Sequence, residues 1–208
     1  MIITDVIRRK NGTQYVVCID NIQKIVLDSS LIIEFGIKKN KIIDEVWLKK
    51  IENEINYKSA YEYSIRLLSI KDRTSDEIKS KLLQKNYGSE IIEKVLVKLI
   101  DNEYINDEKY VETWLKEKSI IPGMSKKALY YKLLRKGINK SLLDKKFNEI
   151  EIDEYSSAIL AAEKKIKTIK GDNKTTRNKL YLYLKGKGYY DDICYKVISA
   201  ILKNDGWE

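Results

Sequence analysis

A chain of 208 residues with 43% hydrophobic content carries enough apolar side chain to bury a core, which excludes global disorder. It contains no histidine, which removes His-based triads, histidine general bases and nearly all His/Cys metal sites. Its net charge of +9 comes from 40 cations, only six of them arginine, and its two cysteines, Cys18 and Cys194, are too isolated for a disulfide framework.

The first 57 residues read differently from the rest. Ile2 to Arg9 and Thr13 to Ile19 are rich in β-formers and flank Asn11-Gly12, a strong type I′ hairpin signal. Ile25 to Leu27 adds a third strand. Asp28 or Ser29 starts a short helix that ends at Phe35-Gly36, and Asp44 caps a helix over about 45–56 carrying Val46, Trp47, Ile51 and Ile55.

From residue 58 onward the chain repeats itself at an offset of 51 residues. KLLQKNY at 81–87 returns as KLLRKGI at 132–138 and as YLKGKGY at 183–189. Thr74, Ser125 and Thr176 correspond, as do Ile78, Leu129 and Leu180, and then Leu82, Leu133 and Leu184. Hydroxyl residues suit a helix N-cap, and Thr74 with Glu77 makes a capping box. Apolar residues four and eight positions later share one helical face. Lys85, Lys136 and Lys187 fall in the last turn, where the helix dipole favours a cation. Asn86, Gly137 and Gly188 follow, the residue types that most readily take a left-handed C′ conformation.

One further helix precedes each such pair. Ser59 with Glu62 reads as a capping box, and Asp107 and Asp153 read as caps. The spacing predicts helices over 60–71, 75–86 and 90–102, then 108–119, 126–136 and 141–150, then 154–169, 176–187 and 191–203. The lone proline, Pro122, lies with Gly123 in the link SIIPGMS, as a helix breaker should. The fold class expected is mainly α: three tandem three-helix repeats of helix-turn-helix-like form, elongated and curved, behind a small N-terminal β-hairpin and helix module. The boundaries expected are 1–57 for that module and 58–106, 107–152 and 153–208 for the repeats. A unit of about 50 residues has a thin core, and stacking buries the faces one unit alone would expose.

Charge is distributed unevenly along this array. Residues 116–146 hold ten cations against Glu117 and Asp144, and residues 164–187 hold nine against Asp172. A basic face suits a polyanion or an acidic protein surface. The abundance of Ile, Lys, Asn and Tyr is also what an AT-rich genome would encode, so the stripes are open to both readings. Fifteen tyrosines are present, several inside the basic stretches, where cations and rings together can hold phosphates and stack bases. Tyr131 and Tyr181 adjoin apolar core positions and read as packing residues; Tyr130 and Tyr183 are left open between packing and contact.

No catalytic constellation is evident. Gly186 and Gly188 in KGKG are helix-end glycines by repeat position, and Asp191-Asp192 opens a helix, where the dipole accounts for it. No spacing pairs a nucleophile with a base. A non-enzymatic protein without cofactor or metal is the expectation. No apolar run approaches the roughly 18 residues that cross a bilayer, and the charges of MIITDVIRRKNG follow its apolar stretch, so the location expected is cytoplasmic, with no membrane association.

These motifs together resemble the RecX family. SIRLLSIKDRTSDEIKSKLLQKNY (64–87) is similar to the family's Ala-Leu-Arg-x-Leu, Arg-x-Ser-x-x-Glu-Leu and Leu-x-x-Lys-Gly succession, with Arg66, Arg73, Ser75 and Leu82 on those positions. YINDEKYVETWLKEK (104–118) is similar to the family's Leu-x-Asp followed by an aromatic-rich helix, with Asp107 and Tyr110 in place. Gly123 and KLLRKGI match further family positions. Asn86 stands where the family has glycine, Ser64 where it usually has alanine and Val111 where it often has alanine. The resemblance covers 58–150 well and the third unit loosely.

The resemblance implies a regulator that binds filaments of a RecA-type recombinase in their helical groove, can contact DNA, and lowers ATP hydrolysis and strand exchange. The residues expected to make contact are Arg66, Arg73, Lys126, Lys127, Arg135, Lys136, Lys174, Arg177, Lys185 and Lys187, pairing with carboxylates or phosphates. The partners expected are the recombinase filament and, weakly, single- or double-stranded DNA, with the protein itself a monomer. A stand-alone DNA- or RNA-binding helical repeat protein is the alternative, and a scaffold for another acidic partner is a third reading.

Overall fold

The computed structural model describes residues 1–10, 12–119 and 123–204. Asn11 of the expected hairpin turn and Pro122 of the expected helix break lie outside the described residues. The chain divides into two compact units, one of residues 1–69 with 81–98 and the other of residues 70–80 with 99–208.

The first unit opens with an antiparallel meander of β1 (Ile3–Arg8), β2 (Gln14–Ile19) and β3 (Gln23–Asp28) in the order β1-β2-β3. Val6 pairs with Val17 and Val16 with Val26, so alternate residues share a face, and Ile3, Val17, Ile19 and Leu27 are buried on one side. Asp28 caps α1 (Ser29–Glu34) by accepting the Leu31 N–H at 2.9 Å, and Gly36 leaves the helix at φ +55°. Leu31, Ile37, Ile43 and Ile51 complete this core.

Asp44 caps α2 at the Trp47 N–H, as expected, but α2 runs unbroken from Glu45 to Leu68. The two helices anticipated over 45–56 and 60–71 are therefore one. Residues 57–60 contain no glycine or proline, and an interior serine costs a helix only a few tenths of a kcal/mol, about 0.5. The hydroxyl of Ser59 does not cap; it lies 2.9 Å from the Tyr87 hydroxyl. Lys58 ties α2 to α1 by donating to Ser30 Oγ at 2.6 Å and pairing with Asp28 and Glu34.

The remaining helices are α3 (Ser75–Gln84), α4 (Ser89–Asp101), α5 (Asp107–Ser119), α6 (Lys126–Leu134), α7 (Lys140–Glu149), α8 (Glu154–Ile166), α9 (Asn173–Gly186) and α10 (Asp191–Asn204). The chain is thus mainly α, with helical triplets in tandem behind a small sheet. The repeat strings end α3, α6 and α9 in the same way. Tyr87, Ile138 and Tyr189 each donate their N–H five residues back, to Leu82, Leu133 and Leu184. The residue before each is left-handed, Asn86 at φ +60°, Gly137 at +76° and Gly188 at +92°, which makes three copies of one Schellman turn.

In the second unit, α5, α6 and α7 enclose Val111, Leu115, Leu129, Leu133, Ile138, Leu143 and Phe147. The next triplet, α8, α9 and α10, encloses Ala158, Ala162, Leu180, Leu184, Tyr189, Cys194, Val197 and Ile198. Two expected caps are corrected here: α5 includes Asp107, with Asn106 accepting the Lys109 N–H at 2.9 Å, and α9 starts at Asn173, capped by Asp172 accepting the Thr175 N–H at 2.9 Å, so Thr176 lies inside the helix. Gly171, at φ +145°, breaks the chain just before Asp172, and residues 173–175 contain nothing that opposes an earlier start.

Candidate functional site

The positions of the basic side chains depend on how one triplet is fastened to the next within the second unit. Thr74 accepts the Glu77 N–H at 3.1 Å, which caps α3, and its own hydroxyl proton goes to the carbonyl of Lys136 at 2.6 Å. Ser125 does the same one repeat later, accepting the Ala128 N–H at 3.1 Å and donating to the carbonyl of Lys187 at 2.8 Å. A hydroxyl both accepts and donates, so one side chain serves as cap and clasp. A carboxylate from the following triplet holds the adjacent N–H in each case: Asp107 accepts from Ser75 at 2.9 Å, and Glu154 from Lys126 at 2.8 Å.

The clasps set the environment of the expected contact residues. Lys136 Nζ lies 2.8 Å from Glu77 and 5.4 Å from the Tyr110 ring centroid. Burial raises the Glu77 pKa, but hydrogen bonds from Lys136 and the Thr74 N–H, with the charges of Lys136 and Lys71, outweigh it, so the carboxyl ends below its ordinary value. Burial pulls the Lys136 ammonium down, while hydrogen bonding to Glu77 and Tyr110 more than restores it. Lys185 pairs with Asp191 at 2.9 Å, and Asp191 also accepts the Tyr181 hydroxyl at 2.7 Å. Lys187 stands 5.3 Å from the Tyr183 ring, with Lys165 on the same ring at 5.4 Å.

The others face outward more freely. Lys127, Arg135, Lys174 and Arg177 are exposed, and Lys126 is half-buried at the start of α6. Lys174, Arg177 and Lys185 share one side of α9 by spacing. Arg73 is half-buried and lines a small hollow of about 140 Å³ with Glu103, Tyr104 and Tyr110. Arg66 is exposed in the last turn of α2, in the first unit.

Lys126 and Lys127 both line a cleft of about 730 Å³, together with Tyr130, Tyr131, Asp144, Phe147, Asn148 and Tyr190. Tyr130 is a wall residue: its hydroxyl donates to Asp144 at 2.6 Å and its ring meets Phe147 edge-on at 5.2 Å. Tyr131, expected to pack in the core, is 51% exposed instead. Leu129 and Leu133 take the buried face of α6, and Tyr131 stands two residues from each, off that face. Tyr181 does pack, stacked on Tyr195 at 5.4 Å. Tyr190 is one of the tyrosines that accompany the basic stretches and Phe147 is a repeat core position, but their meeting with Asn148 in one cleft was not legible, because they come from α7 and from the start of α10.

Lys146 was also not singled out by its sequence. It is 11% exposed and meets Glu108 at 2.7 Å, Glu112 at 2.5 Å and Glu149 at 3.6 Å, fastening α7 to α5. Hydrogen bonds to Glu108 and Glu112 raise its pKa well above the usual lysine range. No group of three or more His, Cys, Asp or Glu is placed to hold a metal ion, and no helix is long and apolar enough to cross a membrane, among the described residues.

Comparison with known proteins agrees with this architecture. A family model described as the first three-helix domain of RecX matches residues 60–99. The regulatory protein RecX of Clostridium perfringens strain 13 is 29% identical over 206 residues, spanning 97% of this chain and 96% of that protein. The one from Clostridium acetobutylicum is 31% identical over 202 residues, spanning 94% and 92%. A crystal structure of regulatory protein RecX superposes with a TM-score of 0.73 at 21% identity, over 96% of this chain and 98% of that one, and so shares the fold. With identity of this order along nearly its whole length and the same helical architecture, the chain belongs to the RecX family of regulatory proteins.

Proposed function

We propose that this protein is a non-enzymatic cytoplasmic regulator that lies in the helical groove of a RecA-type recombinase filament and lowers its ATPase and strand exchange. The observation that carries this reading is the alignment with regulatory RecX proteins across nearly the full chain. A segmental array over 1–57, 58–106, 107–152 and 153–208, its first boundary bridged by the continuous α2, suits a filament, since successive triplets can meet successive subunits. The exposed cations Arg66, Lys127, Arg135, Lys174 and Arg177 make the outer contacts, and the half-buried Arg73 and Lys126 add to them. The half-buried Lys136 and Lys187 shape the surface through Glu77 and the Tyr183 ring, while the exposed Lys185 is paired with Asp191 at the surface, and all three lend positive potential. DNA contact is weak beside filament contact, and the protein acts as a monomer.

The test is the DNA-stimulated ATPase of the cognate recombinase with increasing amounts of this protein. The rate is expected to fall, and charge removal at Lys127, Arg135, Lys174 and Arg177 together to relieve the inhibition. An unchanged rate with the protein demonstrably bound to filaments excludes inhibition. Tight, steeply salt-dependent binding to DNA without recombinase would favour a stand-alone nucleic-acid binder instead.

A further inference from the structure

The cleft between α6, α7 and the start of α10 has a chemistry that charge pairing alone does not use. Tyr131 and Tyr190 are 51% and 58% exposed, and both rings line this one cleft. Behind them, Tyr130 is fixed by Asp144 and by its edge-on contact with Phe147, so one wall is preorganised. Lys126 and Lys127 supply the cations at the α6 end, and the Asn148 amide offers both a donor and an acceptor. The space of about 730 Å³ falls within the range of small-ligand sites.

We infer that this cleft takes the base of an unpaired nucleotide in a single-stranded nucleic acid, stacked on Tyr131 and Tyr190, with the adjoining phosphate on Lys126 and Lys127. Every base has a π-face, so exposed rings beside two cations bind single strands without demanding a sequence. An acidic peptide fits less well. It would need cations along its length, whereas both lysines sit on the first turn of α6 and the remaining lining is mostly aromatic. The inference does not rest on recombinase binding, because the site lies wholly within this chain.

The test uses the full chain without recombinase and follows fluorescence anisotropy of two labelled single strands of equal length. One is oligothymidylate and the other its abasic analogue, which keeps the phosphates and lacks the bases. The wild type is expected to hold oligothymidylate about tenfold more tightly than the abasic strand. Tyr131→Ala combined with Tyr190→Ala should erase that preference and leave abasic binding within about twofold, since both rings are exposed and the phosphate contacts remain. Equal affinity of the wild type for the two strands overturns the inference, as does a preference that survives in the double variant. An oligoglutamate peptide that binds as tightly as oligothymidylate, and is lost in the same variant, overturns it in favour of a protein ligand. Because recombinase is absent, none of these outcomes bears on the ATPase result.

Discussion

The two fastenings in the second unit share one device and differ in what surrounds it. At the first, Thr74 reaches the Lys136 carbonyl and Glu77 holds the Lys136 ammonium at 2.8 Å. At the second, Ser125 reaches the Lys187 carbonyl, but the position equivalent to Glu77 is Ala128, and Lys187 rests on the Tyr183 ring instead. A neutral network takes over there: Ser157 accepts the Gly123 N–H at 3.1 Å and meets the Tyr189 hydroxyl at 2.8 Å. The hydroxyl clasp is therefore the constant part of the joint, and the ion pair is a local addition to it.

The largest expected effect comes from the glycines under the clasps. A Cβ on Gly137 would lie 2.1 Å from the Asp76 Cβ, and one on Gly188 would lie 2.7 Å from Ser125 Oγ. Both residues also hold left-handed φ, so overpacking adds to backbone strain. Gly137→Ala should destabilise by about 3 kcal/mol, and Gly188→Ala by somewhat less, since a hydroxyl yields more easily than a Cβ. Asn86→Gly, at an exposed position, should change stability by less than about 1 kcal/mol. Urea denaturation of the three variants gives the ranking, and equal losses at positions 86 and 137 would refute the account of close approach.

Next in size is the hydroxyl itself. Ser125→Ala removes cap and clasp together and should cost about 2 kcal/mol. Ser125→Asp keeps an acceptor for the Ala128 N–H but has no proton for the Lys187 carbonyl, so it should remain destabilised by about 1 kcal/mol or more. Full stability in the aspartate variant, read by thermal melting, would show that the cap alone matters.

The smallest effect concerns the ion pair, worth about 1 kcal/mol at this degree of exposure. The folded pKa of Glu77 is below its ordinary 4.5, so its contribution is present above that pH and is lost as pH falls through the folded value. The folded pKa of Lys136 is above 10.5, so its share is present below that pH and is lost as pH rises through the folded value. Glu77→Gln should flatten the acid limb of a stability–pH curve, while Ala128→Glu should give the second joint an acid limb of its own. Identical curves for wild type and Glu77→Gln would show that the pair adds nothing.

Much of this architecture was legible in the sequence for a local reason. The hydroxyl, the two apolar residues, the lysine and the asparagine or glycine that mark each helix and its turn lie within 13 residues. What was not legible involved choices between local signals of equal strength. The box of Ser59 and Glu62 is as compatible with a helix interior as with a helix start, and α2 runs through it. Asp172 and Thr176 both offer a cap, and the earlier one is used. The clasps were invisible because Thr74 and Lys136 are 62 residues apart, and the capping role of the hydroxyl already accounted for its presence. The basic stripes were visible as charge, but their division into exposed and internally paired cations required acids brought close by the fold, such as Glu77 for Lys136.

The hydroxyl caps carry a polarity. Thr74 and Ser125 each offer a proton toward the module that comes after, whereas α1, α2, α8 and α9 begin with aspartates, whose side chains accept at the cap. On the receiving side, Gly137 and Gly188 leave room for the preceding module, and the side chain of Asn86 would fill that room. Order along the array is thus written into single atoms: the triplets are not interchangeable beads, and shuffling them would set a side chain where a proton must pass.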